Sequence, residues 1–186
     1  MRICKLATTA ALAIAAGWAG EVPRPAQPLN LKTPSGESLS LESLRGKVVL
    51  VKFFLTECRH CQRTATTIMP IYREWRPRGL EVLGVAINPD APQRIPEFRQ
   101  RFGVTYPIAL GDRSTLTTFA DLSVVAQFFL PYIFMVDRQG IIRREHGGGD
   151  QAFYNAEDRN LREGLDGLLK QTRQARKANS KGSKKS

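Results

Sequence analysis

The sequence predicts an α/β fold: a central mixed β-sheet flanked by helices, with an N-terminal β-hairpin extension. Three observations lead there. Val48 to Leu55 and Leu80 to Ile87 are apolar runs rich in β-branched and aromatic residues, with the length of buried strands. Each is followed by a stretch of helical period, and strand-helix-strand-helix is the order of a parallel sheet with crossover helices. Further on, Tyr132 to Val136 and Ile141 to His146 flank Asp137-Arg138-Gln139-Gly140, turn residues that predict an antiparallel hairpin. A chain of 186 residues is about one domain, and 42% hydrophobic with 24% charged residues is ordinary for a globular protein, which argues against a membrane-embedded or wholly disordered chain.

At the start, Arg2 and Lys5 form a basic region, Leu6 to Ala16 an apolar stretch, and Gly17-Trp18-Ala19 offers the small side chains that a signal peptidase reads. Residues 1–19 are therefore expected to be a signal peptide cleaved near Ala19, taking Cys4 with it. The apolar stretch is short for a membrane span, so a retained anchor is the second reading. Export to the periplasm or another extracytoplasmic space follows, where disulfides persist. Residues 20–28 include EVPRPAQP, a proline-rich linker expected to be extended or poorly ordered.

The domain proper is placed at 29–170. Leu29 to Leu31 and Ser38 to Leu41 read as a short hairpin around Pro34-Ser35-Gly36, and Leu41 to Leu44 as a helical turn. Gly46 opens the central strand. A helix should then run from the cysteines to about Arg76, with Pro70 predicting a kink or break near Ile68 and Met69, and Gly79 marking its end. Pro92 to Phe102 is amphipathic, with Ile95, Phe98 and Phe102 inward and Arg94, Arg99 and Arg101 outward. Pro107 to Leu110 reads as a short strand and Thr115 to Leu122 as a short helix capped by Asp112 or Ser114. Val124 to Leu130 is apolar and stops at Pro131. Gly147-Gly148-Gly149 releases the chain into a last helix, Ala156 to about Arg176, whose buried stripe is Leu161, Leu165, Leu168 and Leu169.

Charge is concentrated at the end. Lys170, Arg173, Arg176, Lys177, Lys181, Lys184 and Lys185 stand there without an acid, and removing those seven with Arg2 and Lys5 from the formal +11 leaves about +2 for the folded part. Residues 171–186 are read as a basic, disordered, solvated tail, with weak contact to an anionic surface as the second reading. No aromatic-interleaved patch accompanies the basic residues, so nucleic acid is not expected as a partner.

The chemistry is expected at Cys58-Arg59-His60-Cys61, where the central strand feeds the helix. Cys61, Ala65, Ile68, Tyr72 and Trp75 follow at steps of four and three, so Cys61 should face the core. Cys58 lies one turn earlier, where unpaired backbone N–H groups and the positive end of the helix dipole favour a thiolate. Cys58 is thus the candidate nucleophile and Cys61 the resolving thiol. Zinc wants four ligands, and His60 and His146 are the only histidines; a c-type haem needs His where Gln62 stands. No metal or other cofactor is expected. A purely structural disulfide would close a very short loop and constrain the unfolded chain little.

In these motifs the chain resembles the thioredoxin superfamily, specifically the exported TlpA/ResA-like thiol-disulfide oxidoreductases and their relatives in the alkyl hydroperoxide reductase and thiol-specific antioxidant grouping. The resemblance rests on the hairpin and Leu41-Glu42-Ser43-Leu44-Arg45-Gly46-Lys47, the strand ending in the cysteine pair, the strand from Gly79 to Val85, and Leu130-Pro131 before Tyr132 to Asp137 and Gly140. It implies a thioredoxin-like fold and an oxidoreductase acting on cysteine-containing envelope proteins, with a membrane or soluble thiol as electron donor and a TlpA-like reductant favoured over an oxidant or isomerase. It also implies that Pro131 is a cis-proline facing the cysteines and that Leu130 presents its backbone to a substrate peptide.

The departures bear on rate and direction. Glu57 stands where relatives often carry Trp, and its charge would oppose thiolate formation if it approached Cys58. Lys52 falls where thioredoxins carry a buried acid that helps move a proton from the resolving thiol. Arg59 and His60 lie between the cysteines, and a cation or hydrogen-bond donor there would stabilise the thiolate and make the disulfide more oxidising. Two other functions are kept. A peroxiredoxin-type peroxidase would want Thr or Ser where Leu55 stands and a proline within Val48 to Glu57, which is absent. A non-enzymatic copper-binding module would use both thiols with His146 as a distal ligand.

Overall fold

Every residue of Val48–Phe54 is buried, which makes this strand, β4, covered on both faces. Alternation sends Val48, Leu50 and Phe54 into one apolar cluster and Val49, Val51 and Phe53 into another, so β4 separates two cores. The computed structural model describes residues 21–182, with side chains as far as Lys170; the expected signal peptide lies outside the described residues.

The remaining strands are β1 (Arg24–Pro25), β2 (Asn30–Lys32), β3 (Ser38–Ser40), β5 (Leu80–Ala86), β6 (Ile108–Leu110), β7 (Tyr132–Val136) and β8 (Ile141–His146). They form one eight-stranded sheet in the order β1-β8-β7-β4-β5-β6-β2-β3. β4, β5 and β6 run parallel, whereas β7 lies antiparallel to β4 and β8 antiparallel to β7, so the sheet is mixed as expected. Helices α1 (Arg59–Trp75), α2 (Ala91–Phe102) and α5 (Glu157–Gly182) cover one face. Helix α3 (Arg113–Phe119), capped by Asp112, covers the other through Leu116 and Phe119. The short helix α4 (Gln151–Tyr154) precedes α5. The left-handed backbone that ends the α1 region falls on Gly79, at φ 96°, where a Cβ would be strained.

Four expectations change. The linker is not outside the fold: β1 pairs with β8, the Arg24 guanidinium lies 2.6 Å from the Glu145 carboxylate, and the Ala26 N–H donates to the Gly140 carbonyl over 2.9 Å. A proline-rich segment cannot become helix but is tolerated on a sheet edge. Helix α1 runs unbroken through Pro70, which sits on the exposed face, where water can serve the carbonyl that loses its donor. Arg99 does not point outward; it is half-buried and donates to the carbonyls of Val104 and Tyr106 over 3.3 and 3.1 Å. The backbone of α5 continues to Gly182, into the segment read as a disordered tail, because its Lys, Arg, Gln and Ala residues are good helix formers. Val124 to Leu130 forms no regular element, and Val124, Val125 and Phe129 are 77%, 83% and 68% exposed. Among the described residues no helix is long and apolar enough to cross a membrane.

Candidate active site

Cys58 is the N-cap of α1, and its sulfur accepts the Cys61 backbone N–H at 3.4 Å. This is one of the donors that a helix start leaves without an internal partner. Both cysteines are free thiols; Cys58 is half-buried, and Cys61 has no exposed surface. The two respond oppositely to this arrangement. A hydrogen bond from the Cys61 thiol lowers the Cys58 pKa to about 6, aided by the backbone N–H groups of Cys61 and His60 and by the His60 ring, with partial burial opposing. Burial above all, and then donation to Cys58 and proximity to its charge, drive the Cys61 pKa far above the ordinary thiol range.

Across from the pair, the Leu130 carbonyl lies 3.9 Å from the Cys58 sulfur, and the Leu130-Pro131 peptide bond is cis. Two contacts hold this segment that sequence reading did not assign. The Tyr154 hydroxyl donates to the Pro131 carbonyl at 2.7 Å, and the Gly148 N–H donates to the Phe129 carbonyl at 2.8 Å. A Cβ on Gly148 would stand 2.7 Å from the Leu130 oxygen, so only glycine allows the two backbones this close. A run of three glycines also signals close backbone approach, and that signal was available. His60, Phe129, Leu130, Pro131 and Tyr154 line a groove of about 360 Å³ beside the pair.

Of the residues expected to tune the pair, His60 and Arg59 are exposed on the first turn, and His60 Nδ1 lies 3.4 Å from Arg63. Glu57 is also exposed, but its carboxylate meets the Arg94 guanidinium at 2.8 Å, which balances the charge expected to oppose the thiolate. His146, the distal ligand of the copper reading, stacks on Phe153 with centroids 3.8 Å apart and hydrogen-bonds Asp150 through Nδ1 at 2.8 Å. Among the described residues no three His, Cys, Asp or Glu side chains are grouped to hold a metal.

Behind the cysteines, Lys52 has no exposed surface and its ammonium donates to the Cys61 carbonyl at 2.8 Å. Burial lowers its pKa to about 8, against the pull of Cys61, Glu157 and Cys58. Glu157, the first residue of α5, is buried and accepts from the Thr64 and Thr67 hydroxyls at 2.5 and 3.3 Å. Nothing in the local sequence around the cysteines announced it.

A mixed sheet of this order, with a cysteine pair on the first turn of the helix after its central strand, is a thioredoxin-like arrangement. The solved structure of a thiol:disulfide interchange protein, a thioredoxin family protein from Chlorobium tepidum TLS, shares the fold with a TM-score of 0.64 at 23% identity, covering 81% of this chain and 99% of that one. The chain belongs to the AhpC/TSA family, whose model matches residues 22–145. It is 31% identical over 142 residues to Protein DipZ of Mycobacterium tuberculosis, which covers 73% of this chain and 19% of DipZ. It is 29% identical over 123 residues to the thiol-disulfide oxidoreductase ResA of Halalkalibacterium halodurans, 64% of each chain. The match thus spans under a fifth of DipZ and just under two thirds of ResA.

Proposed function

We propose that the protein is an exported thiol-disulfide oxidoreductase that exchanges disulfides with cysteine-containing envelope proteins through Cys58 and Cys61. The observation that carries the reading is the inequality of the two sulfurs: one reachable and inclined to the thiolate, the other covered and protonated. The Cys58 thiolate attacks one sulfur of a client disulfide, and the other client sulfur leaves as a thiolate. Cys61 then loses its proton and attacks the Cys58 sulfur. The Cys58–Cys61 disulfide forms, the mixed disulfide breaks, and the client departs with both sulfurs reduced. A thiol donor returns the pair to the dithiol. The groove beside Leu130 and Pro131 suits an extended client segment carrying the target sulfur.

A TlpA-like reductant is the favoured direction. Insulin reduction by the wild type and its loss in Cys58→Ser test the activity, and unchanged turnover in the variant overturns it. Equilibration with glutathione tests the direction: about −270 mV is expected of a reductant, while about −120 mV would make the protein an oxidant. The basic and apolar character of residues 1–19 supports export. N-terminal sequencing of the extracytoplasmic protein should begin near Gly20 if the segment is cleaved.

A further inference from the structure

We infer that Arg63 selects clients whose target cysteine is flanked by acidic side chains, by pairing with a client carboxylate in the groove beside Cys58; the inference rests on the oxidoreductase reading above and names the class of segment the groove takes. Helix α1 opens with Arg59, His60 and Arg63 and carries no acid before Glu74. That reverses what a helix start prefers, since its dipole favours negative side chains there. All three basic side chains are exposed, so packing does not account for them. His60 and Arg63, three residues apart, share one face of the helix, and both line the groove that contains Leu130 and Pro131.

No acidic side chain lines that groove. The rest of its lining is apolar, as at Phe129, which is 68% exposed beside Gly149, or uncharged, as at Gln151 and Asn155. The sign of the groove is therefore set by α1. Carboxylates of the surrounding elements are already engaged. Glu57 meets Arg94 at 2.8 Å, Asp150 meets His146 at 2.8 Å, and the buried Glu157 accepts from Thr64 and Thr67. Arg63 differs: its guanidinium lies 3.4 Å from His60 Nδ1, and among the described residues no carboxylate is within ion-pair distance of it.

A guanidinium keeps its charge throughout the physiological range and offers a carboxylate two parallel donors. Charge of this kind acts chiefly on the rate of encounter and on the rejection of wrong partners. An exposed pair is worth up to about fivefold. Exchanging the client's acid for a base turns attraction into repulsion, so the two classes of client should differ about 10-fold.

The test uses the full reduced chain at pH 8, where Cys58 is the thiolate. The probes are short peptides with one cysteine, flanked on both sides by Asp, Asn or Lys and held as the mixed disulfide with 2-thiopyridine. Cys58 attacks the peptide sulfur, the bond to the pyridine sulfur breaks, and that sulfur leaves with the electron pair and takes a proton as the absorbing thione. Each rate is divided by the rate with 2-mercaptoethanol, a neutral thiol, which removes the peptides' own differences in reactivity. Any effect of a variant on the Cys58 thiolate is common to the three peptides and cancels in their ratio. In the wild type the Asp peptide should react about 10-fold faster than the Lys peptide, with the Asn peptide between them, and the ratio should shrink in about 1 M salt. Arg63→Lys should keep most of the ratio, Arg63→Gln should reduce it to about threefold, and Arg63→Glu should bring it to 1 or below. A wild-type ratio near 1, or the wild-type ratio kept by Arg63→Glu, overturns the inference. If Cys58→Ser releases the thione as fast as the wild type, the oxidoreductase reading itself fails, which is a different result.

Discussion

Cys58 caps a helix with its sulfur while Cys61 is covered on every side, and the environments send their proton affinities in opposite directions. Alkylation by iodoacetamide should therefore modify Cys58 selectively, with a rate that is half-maximal near pH 6. In Cys61→Ala the midpoint should climb towards the ordinary thiol value, because the donated hydrogen bond is the largest cause of the depression. The same shift has a stability consequence, whose sign follows from the thiolate being favoured only in the folded chain. The reduced protein gains from this group as pH rises from about 6 towards 9 and loses that gain as pH falls through about 6, measurable as urea midpoints under reducing conditions. Glu57→Gln should leave the alkylation profile unmoved, since Arg94 already balances that carboxylate; a clear downward shift of the midpoint would show that Glu57 does act on Cys58. The cysteines and their order on the helix were legible because four-and-three spacing fixes a helical face. The partner of Glu57 was not, because Arg94 belongs to another helix. In the sequence Lys52 stands out only as a departure from the thioredoxin pattern, and the packing of β4 beneath α1 reveals what its amine touches.

At the level of elements, the long strands, the main helices and the β7–β8 hairpin follow from periodicity and turn chemistry, which operate within a few residues of sequence. What periodicity misses is closeness between segments far apart in the chain. Gly148 is the clearest case: a glycine that looks like a helix-releasing loop lies against the backbone that presents Leu130 to Cys58. Gly148→Ala would place its Cβ 2.7 Å from the Leu130 oxygen and 2.8 Å from the Phe129 carbonyl carbon, both backbone atoms that cannot swing aside as a side chain could. The expected cost is about 1–3 kcal/mol in urea unfolding, as for other overpacked sites. Under the proposed function, insulin reduction should fall more than the stability loss alone explains, since moving the segment proposed to hold the client by about 1 Å can cost 100-fold. The irregular stretch from Val124 to Leu130 was equally hidden, because an apolar run does not by itself state whether it is covered, and here Val124 and Val125 are not.

At the scale of the whole molecule, one edge of the sheet is closed by the segment around Arg24. Arg24 reaches the carboxylate of Glu145, which also accepts the Tyr132 hydroxyl at 2.7 Å, so β1, β8 and β7 share one largely buried polar junction. Arg24→Ala would strand that carboxylate, at a cost of about 3 kcal/mol in a urea titration at neutral pH. A surface-pair loss near zero would mean that water reaches Glu145. This junction was illegible in a proline-rich stretch, where composition argues for a tether and only the free edge of β8 turns it into a strand. The outermost strands it leaves, β1 and β3, are two and three residues long. A stray extended chain arriving at either rim finds too few idle amides to extend the ladder, so the flanks of the sheet do not invite other chains to accrete along them.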